Sequence, residues 1–253
     1  LRISPPVPDF ELRATPSELN VPKGGSAALT VHAIRRDGFA GEIQISLEAP
    51  SPAGLSLEGA VIPDGMDRIR MTVSASAGAK AETILPRLRG TALVDGKTVV
   101  KPLVPAEEFM QAFAYQHLVP AAAQVLTIPE TSAPFSVSLQ LEGRLILPRG
   151  KETSFKVTAT RRPGFDGPIR LQLVDPPKGI TLRKGFIPKD RDMAFVTVRV
   201  ESDSEAKPND NLIVTGIMPI EKEGAIAVAA KEKPAADGKF DPEKKDEKVV
   251  EKK

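Results

Sequence analysis

Apolar and polar residues alternate with period two along residues 28–34, 43–47, 69–73 and 155–159, the pattern of strands that bury one face only. Short clusters of turn formers separate these runs: Pro22-Lys23-Gly24-Gly25, Asp37-Gly38, Pro50-Ser51-Pro52, Pro63-Asp64-Gly65 and Asp95-Gly96, then Pro163-Gly164, Pro176-Pro177 and Pro188-Lys189-Asp190. Short strands with turn signals at regular intervals predict an antiparallel β-sandwich.

The pattern occurs twice. At an offset of 126 positions, VPKGGSAALTVHAIRRDGFAGEIQISL from Val21 meets LPRGKETSFKVTATRRPGFDGPIRLQL from Leu147. After one deletion, GLSLEGAVIPDGMDRIRMTV from Gly54 meets GITLRKGFIPKDRDMAFVTV from Gly179, and Gly90 and Gly216 restore the first offset. A period this long implies a duplicated domain, because solenoid units repeat every ~20–50 residues. In the shared R-R-x-G-F-x-G element, Phe39 and Phe165 are expected to cap the core. Arg35, Arg36, Arg161 and Arg162 read either as solvated strand-end charges or as a grip for an anion.

The copies diverge after Gly90 and Gly216. The second is expected to close with a hairpin whose last strand is residues 225–230. The first inserts residues 105–120 before a closing strand at 124–128. Pro105 at an early-helix position, Glu107 and Glu108 toward the positive dipole end, and Phe109, Phe113 and Gln116 at i, i+4, i+7 predict a short helix there. The insert concentrates Phe109, Met110, Phe113, Tyr115 and His117, and so holds the only tyrosine. These five are the candidate partner-binding residues; the alternative is that Phe109, Phe113 and Leu118 plug one end of the first sandwich.

Composition narrows the chemistry. The 253 residues suffice for two ordinary domains. A net charge of +2 with scattered basic residues argues against a nucleic-acid partner, and no apolar run approaches the roughly 18 residues of a membrane span. With no cysteine there are no disulfides, thiolate metal sites or cysteine nucleophiles. His32 and His117 are the only imidazoles, neither with a partner at zinc-pair spacing; His32 is expected on a solvated strand face. No G-x-S-x-G elbow or D-x-D-x-D-G calcium loop occurs, and Asp190-Arg191-Asp192 reads as a turn. The expectation is a non-enzyme with no catalytic, cofactor or metal residues. From Lys231 the chain is lysine- and acid-rich and is expected to be disordered. Residues 1–8 have neither an apolar h-region nor a cleavage site, so the chain is expected to be part of something longer, with any signal peptide upstream.

The frame V-P-x-G-x-x-x-x-L-x-V-x-x-x-R-x-D-G-F-x-G-x-I-x-L, followed by G-L and V-I-P-x-G, resembles the tandem immunoglobulin-like repeats of large exported proteins of planctomycete-type bacteria, often found beside pre-peptidase C-terminal domains. PAEEFMQAFAYQHLVPA from Pro105 is similar to a recurrent insert of those proteins. The resemblance covers roughly residues 10–230; Pro163 replaces the aspartate in the second copy, which also lacks the insert. It implies export to the periplasm, cell surface or medium and carries over no catalytic residue. The expected organisation is all-β: a linker at 1–9, immunoglobulin-like sandwiches at 10–130 and 131–233, and a charged tail at 234–253. The expected role is a non-catalytic spacer or protein-binding module of an exported multidomain protein, its partners neighbouring domains or an envelope protein. Alternatives are an accessory region of a secreted protease or other hydrolase, and a carbohydrate-binding module.

Overall fold

Alternation along the chain becomes alternation across sheets. In the strand Ser26–Arg36, Leu29, Val31 and Ala33 are buried while Thr30 and His32 lie on the opposite face; in its repeat counterpart, Glu152–Arg161, Phe155, Val157 and Ala159 take the buried positions. The computed structural model describes residues 5–111, 115–139 and 145–218. Among them there is no helix. All fall within the compact unit Leu1–Pro219. The expected closing strand at 225–230, the charged tail and Phe113 lie outside the described residues.

The first repeat contains β1 (Asp9–Thr15), β2 (Glu18–Asn20), β3 (Ser26–Arg36), β4 (Ile43–Leu47), β5 (Leu55–Glu58), β6 (Val61–Ile62), β7 (Arg68–Ala75), β8 (Glu82–Ile84), β9 (Leu88–Val94), β10 (Lys97–Gln111), β11 (Tyr115–Pro120) and β12 (Val125–Ile128). The second contains β13 (Phe135–Leu139), β14 (Glu152–Arg161), β15 (Ile169–Leu173), β16 (Ile180–Arg183), β17 (Phe186–Ile187), β18 (Met193–Val200) and β19 (Val214–Ile217).

In the first repeat the strands run β5-β7-β3-β1-β10-β9-β4-β6, and the sheet curls over a core that includes Phe10, Leu12, Leu29, Ile43, Ile62 and Met71. Gly90 shows how closely its halves approach: a Cβ there would overlap Leu12 Cδ1 and lie 3.0 Å from Ile43 Cγ2. Leu19, Leu126 and Ile128 of the small sheet β2-β12-β8 complete this core. The second repeat splits into β13-β14-β18-β16 and β17-β15-β19 around Phe155, Ile169, Ile187, Val196 and Val198. Fully burying each such side chain is worth about 1.5–3 kcal/mol. Gly216 repeats the close approach, against Phe135 and Ile169. All-β, sandwich-like packing follows from these facing sheets.

Among the described residues the expected helix at 105–120 is absent; β10 and β11 pair antiparallel there instead. β10 is one continuous strand, bonded to β9 through Pro102, parallel to β1 at 103–105, and to β11 from Ala106 to Gln111. Pro105 lies in this ladder and its carbonyl accepts the Ala121 N–H at 2.8 Å. A neighbouring strand at every stage satisfies the backbone, which outweighs the weak local preference for helix. The 109/113 spacing that suggested a helix face is an even interval, and equally fits one face of a strand.

Candidate functional site

The hairpin is fixed at its base. Glu107 on β10 accepts both the backbone N–H (3.0 Å) and the hydroxyl of Ser17, and these two bonds, the hydroxyl's foremost, hold its carboxyl below the usual carboxylate range. Gln124 donates to the Pro16 and Ser17 carbonyls, anchoring the return of the chain after β11. Ala106 is the last buried position on β10; beyond it Phe109 is 57%, Met110 63% and Tyr115 67% exposed. His117 is also exposed and stands opposite Phe109 in the ladder. Four of the five candidate partner-binding residues therefore share one projecting hairpin, and the fifth, Phe113, lies outside the described residues. Leu126 and Ile128, not Phe109, enter the core.

The paired arginines divide their work, and the first of each pair is no solvated strand-end charge. Arg35, its side chain 10% exposed, lies over the Phe39 ring, which stacks on Phe10. It donates to the carbonyls of Met66, Gly41 and Pro63, at 2.7 Å in the bond to Gly41. Burial pushes its pKa down, while Asp67 and Asp64 oppose the shift. Arg161 repeats the clamp over Phe165, donating to Gly167, Pro188 and Arg191 carbonyls and pairing with Asp192. Each ties the strand end to two loops, so neither guanidinium is free to grip an anion.

The second arginines differ between copies. Arg36 is 57% exposed and pairs with Glu11 at 2.6 Å. Arg162 donates to the Lys23 carbonyl at 3.0 Å, across the two repeats. The Lys23-Gly24 turn makes room for it: Gly24 has φ +69° and no Cβ, which would overlap the guanidinium. Around this contact Ala133 N–H donates to the same carbonyl, Arg70 pairs with Asp175, and Asn211 Nδ2 donates to the carbonyls of Gly59 (3.0 Å) and Arg70 (3.1 Å). This joint has no local sequence signal: of its three inserting residues, Arg162 aligns with an identical Arg36, and only Asp175 against Ala49 and Asn211 against Leu85 differ between the copies.

His32 departs from its expected solvated state. It stands between Arg13 and Arg68 in the ladder, and its Nε2 is buried without a hydrogen-bond partner. Burial first, then Arg68 and Arg70, push its pKa below the ordinary imidazole value. Residues 188–191 form the expected turn, closed by Arg191 N–H to Pro188 O. Among the described residues no three His, Asp or Glu side chains gather as a metal site, and no helix is long and apolar enough to cross a membrane.

No family model and no curated protein matches the sequence. Among solved structures it is similar to domains 4 and 5 of the S-layer protein SbsC, at 17% identity and TM-score 0.26, over 40% of this chain and 53% of that one. Domains 5–6 of SbsC give 12% identity and TM-score 0.31 over 85% of this chain and 99% of that one. A protein of unknown function from Porphyromonas gingivalis W83 gives 10% and 0.26 over 75% and 83%. The chain thus spans about half the length of the first of these structures.

Proposed function

We propose that the chain is a tandem pair of immunoglobulin-like sandwiches acting as a non-catalytic structural module, a stiff spacer within an exported multidomain protein of the planctomycete-type repeat class. The observation that carries this reading is the joint. Arg162, Asp175 and Asn211 of the second repeat bond to Lys23, Arg70 and Gly59 of the first, and the linker is itself bridged to the turn, Lys23 against Ser132. Contacts that span a linker from three separate segments oppose the relative motion that is the default for neighbouring domains. The polar side chains best placed for chemistry, Arg35 and Arg161, are spent on backbone carbonyls. The exposed hairpin at Phe109, Met110, Tyr115 and His117 is the module's surface for protein contact.

The test is a distance distribution. The chain has no cysteine, so Val100→Cys and Phe186→Cys place one spin label on each repeat, at positions each 50% exposed. A single narrow distance is expected, broadened by Arg162→Ala combined with Asp175→Ala. A broad distribution in the parent chain refutes the spacer reading.

A further inference from the structure

The joint has two sides, and among the described residues each side has an exposed counterpart elsewhere on the molecule. The receiving side, on the first repeat, consists of the Lys23 carbonyl beside Gly24, the Gly59 carbonyl, and Arg70. The second repeat carries the equivalent positions. Gly150 stands where Gly24 does: each N–H bonds to the strand that packs beside it, Gly24 to Ala75 O and Gly150 to Val200 O, and each has positive φ, +69° and +72°. Where Arg162 covers Gly24, the nearest atom of the described residues to the corresponding face of Gly150 is Ser202 Cβ at 4.0 Å. Lys184, φ +56°, takes the place of Gly59, its carbonyl accepting the Phe186 N–H at 3.0 Å. Phe195 takes the place of Arg70: Arg70 pairs with Thr30 in the ladder, and Phe195 with Lys156, the repeat counterpart of Thr30.

The inserting side, on the second repeat, consists of Arg162, Asp175 and Asn211. Its counterparts on the first repeat are Arg36, Ala49 and Leu85. The backbone bonds fix these equivalences: Phe39 N–H to Arg36 O matches Phe165 N–H to Arg162 O, and Glu48 N–H to Arg87 O matches Val174 N–H to Ile213 O. Leu85 lies two residues before Arg87, as Asn211 lies two before Ile213.

Superposing one surface on the other therefore sets Leu85 at the Phe195 carbonyl, where Asn211 meets the Arg70 carbonyl, and Ala49 beside the Phe195 ring, where Asp175 meets the Arg70 side chain. Leu85 and Phe195 are 63% and 64% exposed. Where the internal joint has an asparagine capping carbonyls beside a buried arginine, the outer surfaces offer an aliphatic and an aromatic side chain at matching positions. Arg36 would meet the Arg149 carbonyl and brings its own carboxylate, Glu11. One backbone bond has no counterpart, since Pro8 stands where Ala133 donates.

We infer that this chain binds a second copy of itself head to tail, the Arg36–Leu85 surface of one molecule seated on the Gly150–Phe195 surface of the next, repeating between molecules the joint it makes within one. The inference rests on the internal joint described above. Such an interface is heterologous and does not close on itself, so it yields open chains rather than a symmetric dimer.

Sedimentation velocity of the full chain over a concentration series tests it. The weight-average sedimentation coefficient rises with concentration without a plateau at dimer. Leu85→Glu and Phe195→Glu, both at exposed positions and both checked for an unchanged circular dichroism spectrum, each abolish the rise. An equimolar mixture of the two variants restores dimers and nothing larger, because only one intact surface of each kind remains. A chain monomeric at every concentration, association lost in Phe109→Asp but kept in Phe195→Glu, or a mixture that stays monomeric overturns the inference. A monomer with a narrow spin-label distance refutes self-association alone; a broad distance refutes the rigid joint as well.

Discussion

Replacing Arg35 by alanine removes a side chain that three loop carbonyls depend on. Its guanidinium makes bonds of 2.7–3.2 Å to Gly41, Met66 and Pro63 and covers the Phe39 ring at 5.1 Å. A hydrogen bond with a charged partner contributes about 1.5–3 kcal/mol, and a partly exposed cation–π contact about 0.5–1 kcal/mol. Three carbonyls at the low end of that range, plus the ring contact, set an upper figure of about 5 kcal/mol. Two effects lower it: water reaches the freed carbonyls, and burial of the guanidinium, which pushes its pKa down, is no longer required. The expected loss is about 2–4 kcal/mol, a fall in Tm of roughly 5–15 °C for a unit of this size. Arg36→Ala, one residue away and 57% exposed, is the control, expected within about 0.5 kcal/mol of the parent. Urea unfolding and thermal melts followed by circular dichroism measure both. Equal effects at Arg35 and Arg36, or an Arg35→Lys variant as stable as the parent, refute the clamp, since an ammonium has no planar fork to span three carbonyls.

Gly90→Ala is expected to cost about 1–3 kcal/mol by overpacking Leu12, measured as a shift in urea midpoint; a neutral effect would mean the two halves of the sheet are not in close contact. His32 gives a pH dependence. Its folded pKa lies below the unfolded value, so its contribution is fully present above about pH 6.5 and is lost as pH falls through the lowered folded value. The groups facing it, Arg13, Arg68 and Arg70, are all cationic, and His32→Gln flattens the change in urea midpoint between about pH 7.5 and about pH 5. Ser17→Ala frees Glu107: its carboxyl pKa, read by NMR, rises toward the ordinary value and amide exchange in β11 accelerates, whereas unchanged exchange would show that the latch does not hold the hairpin.

Much of the fold is legible in the order of residues. Period-two alternation at 28–34 and 155–159 fixes which side of β3 and β14 is buried, because a one-residue slip would turn every apolar side chain outward. The 126-residue self-match predicts that Phe39 and Phe165 occupy equivalent core positions, and each ring packs against a β-strand phenylalanine, Phe10 and Phe135. The hairpin is not legible locally, because its 16 residues carry two prolines at its ends, acids and evenly spaced aromatics, a pattern that helix and strand share; the neighbours β1, β9 and β11, which no local window contains, decide between them.

What the sequence alone determined is therefore period and duplication: alternating strands, their turns and a repeated core. The role of each polar side chain was decided by tertiary structure. Arg35 and Arg36 are identical and adjacent, yet one clamps loops and the other lies in solvent, because successive residues of a strand point to opposite sides and only one side meets a loop. Arg36 and Arg162 are equivalent in the repeat, yet only Arg162 has a neighbouring turn to bind. A side chain's hydrogen-bond partners come from residues far away in the chain, and which of them arrive is settled only when the sheets have packed.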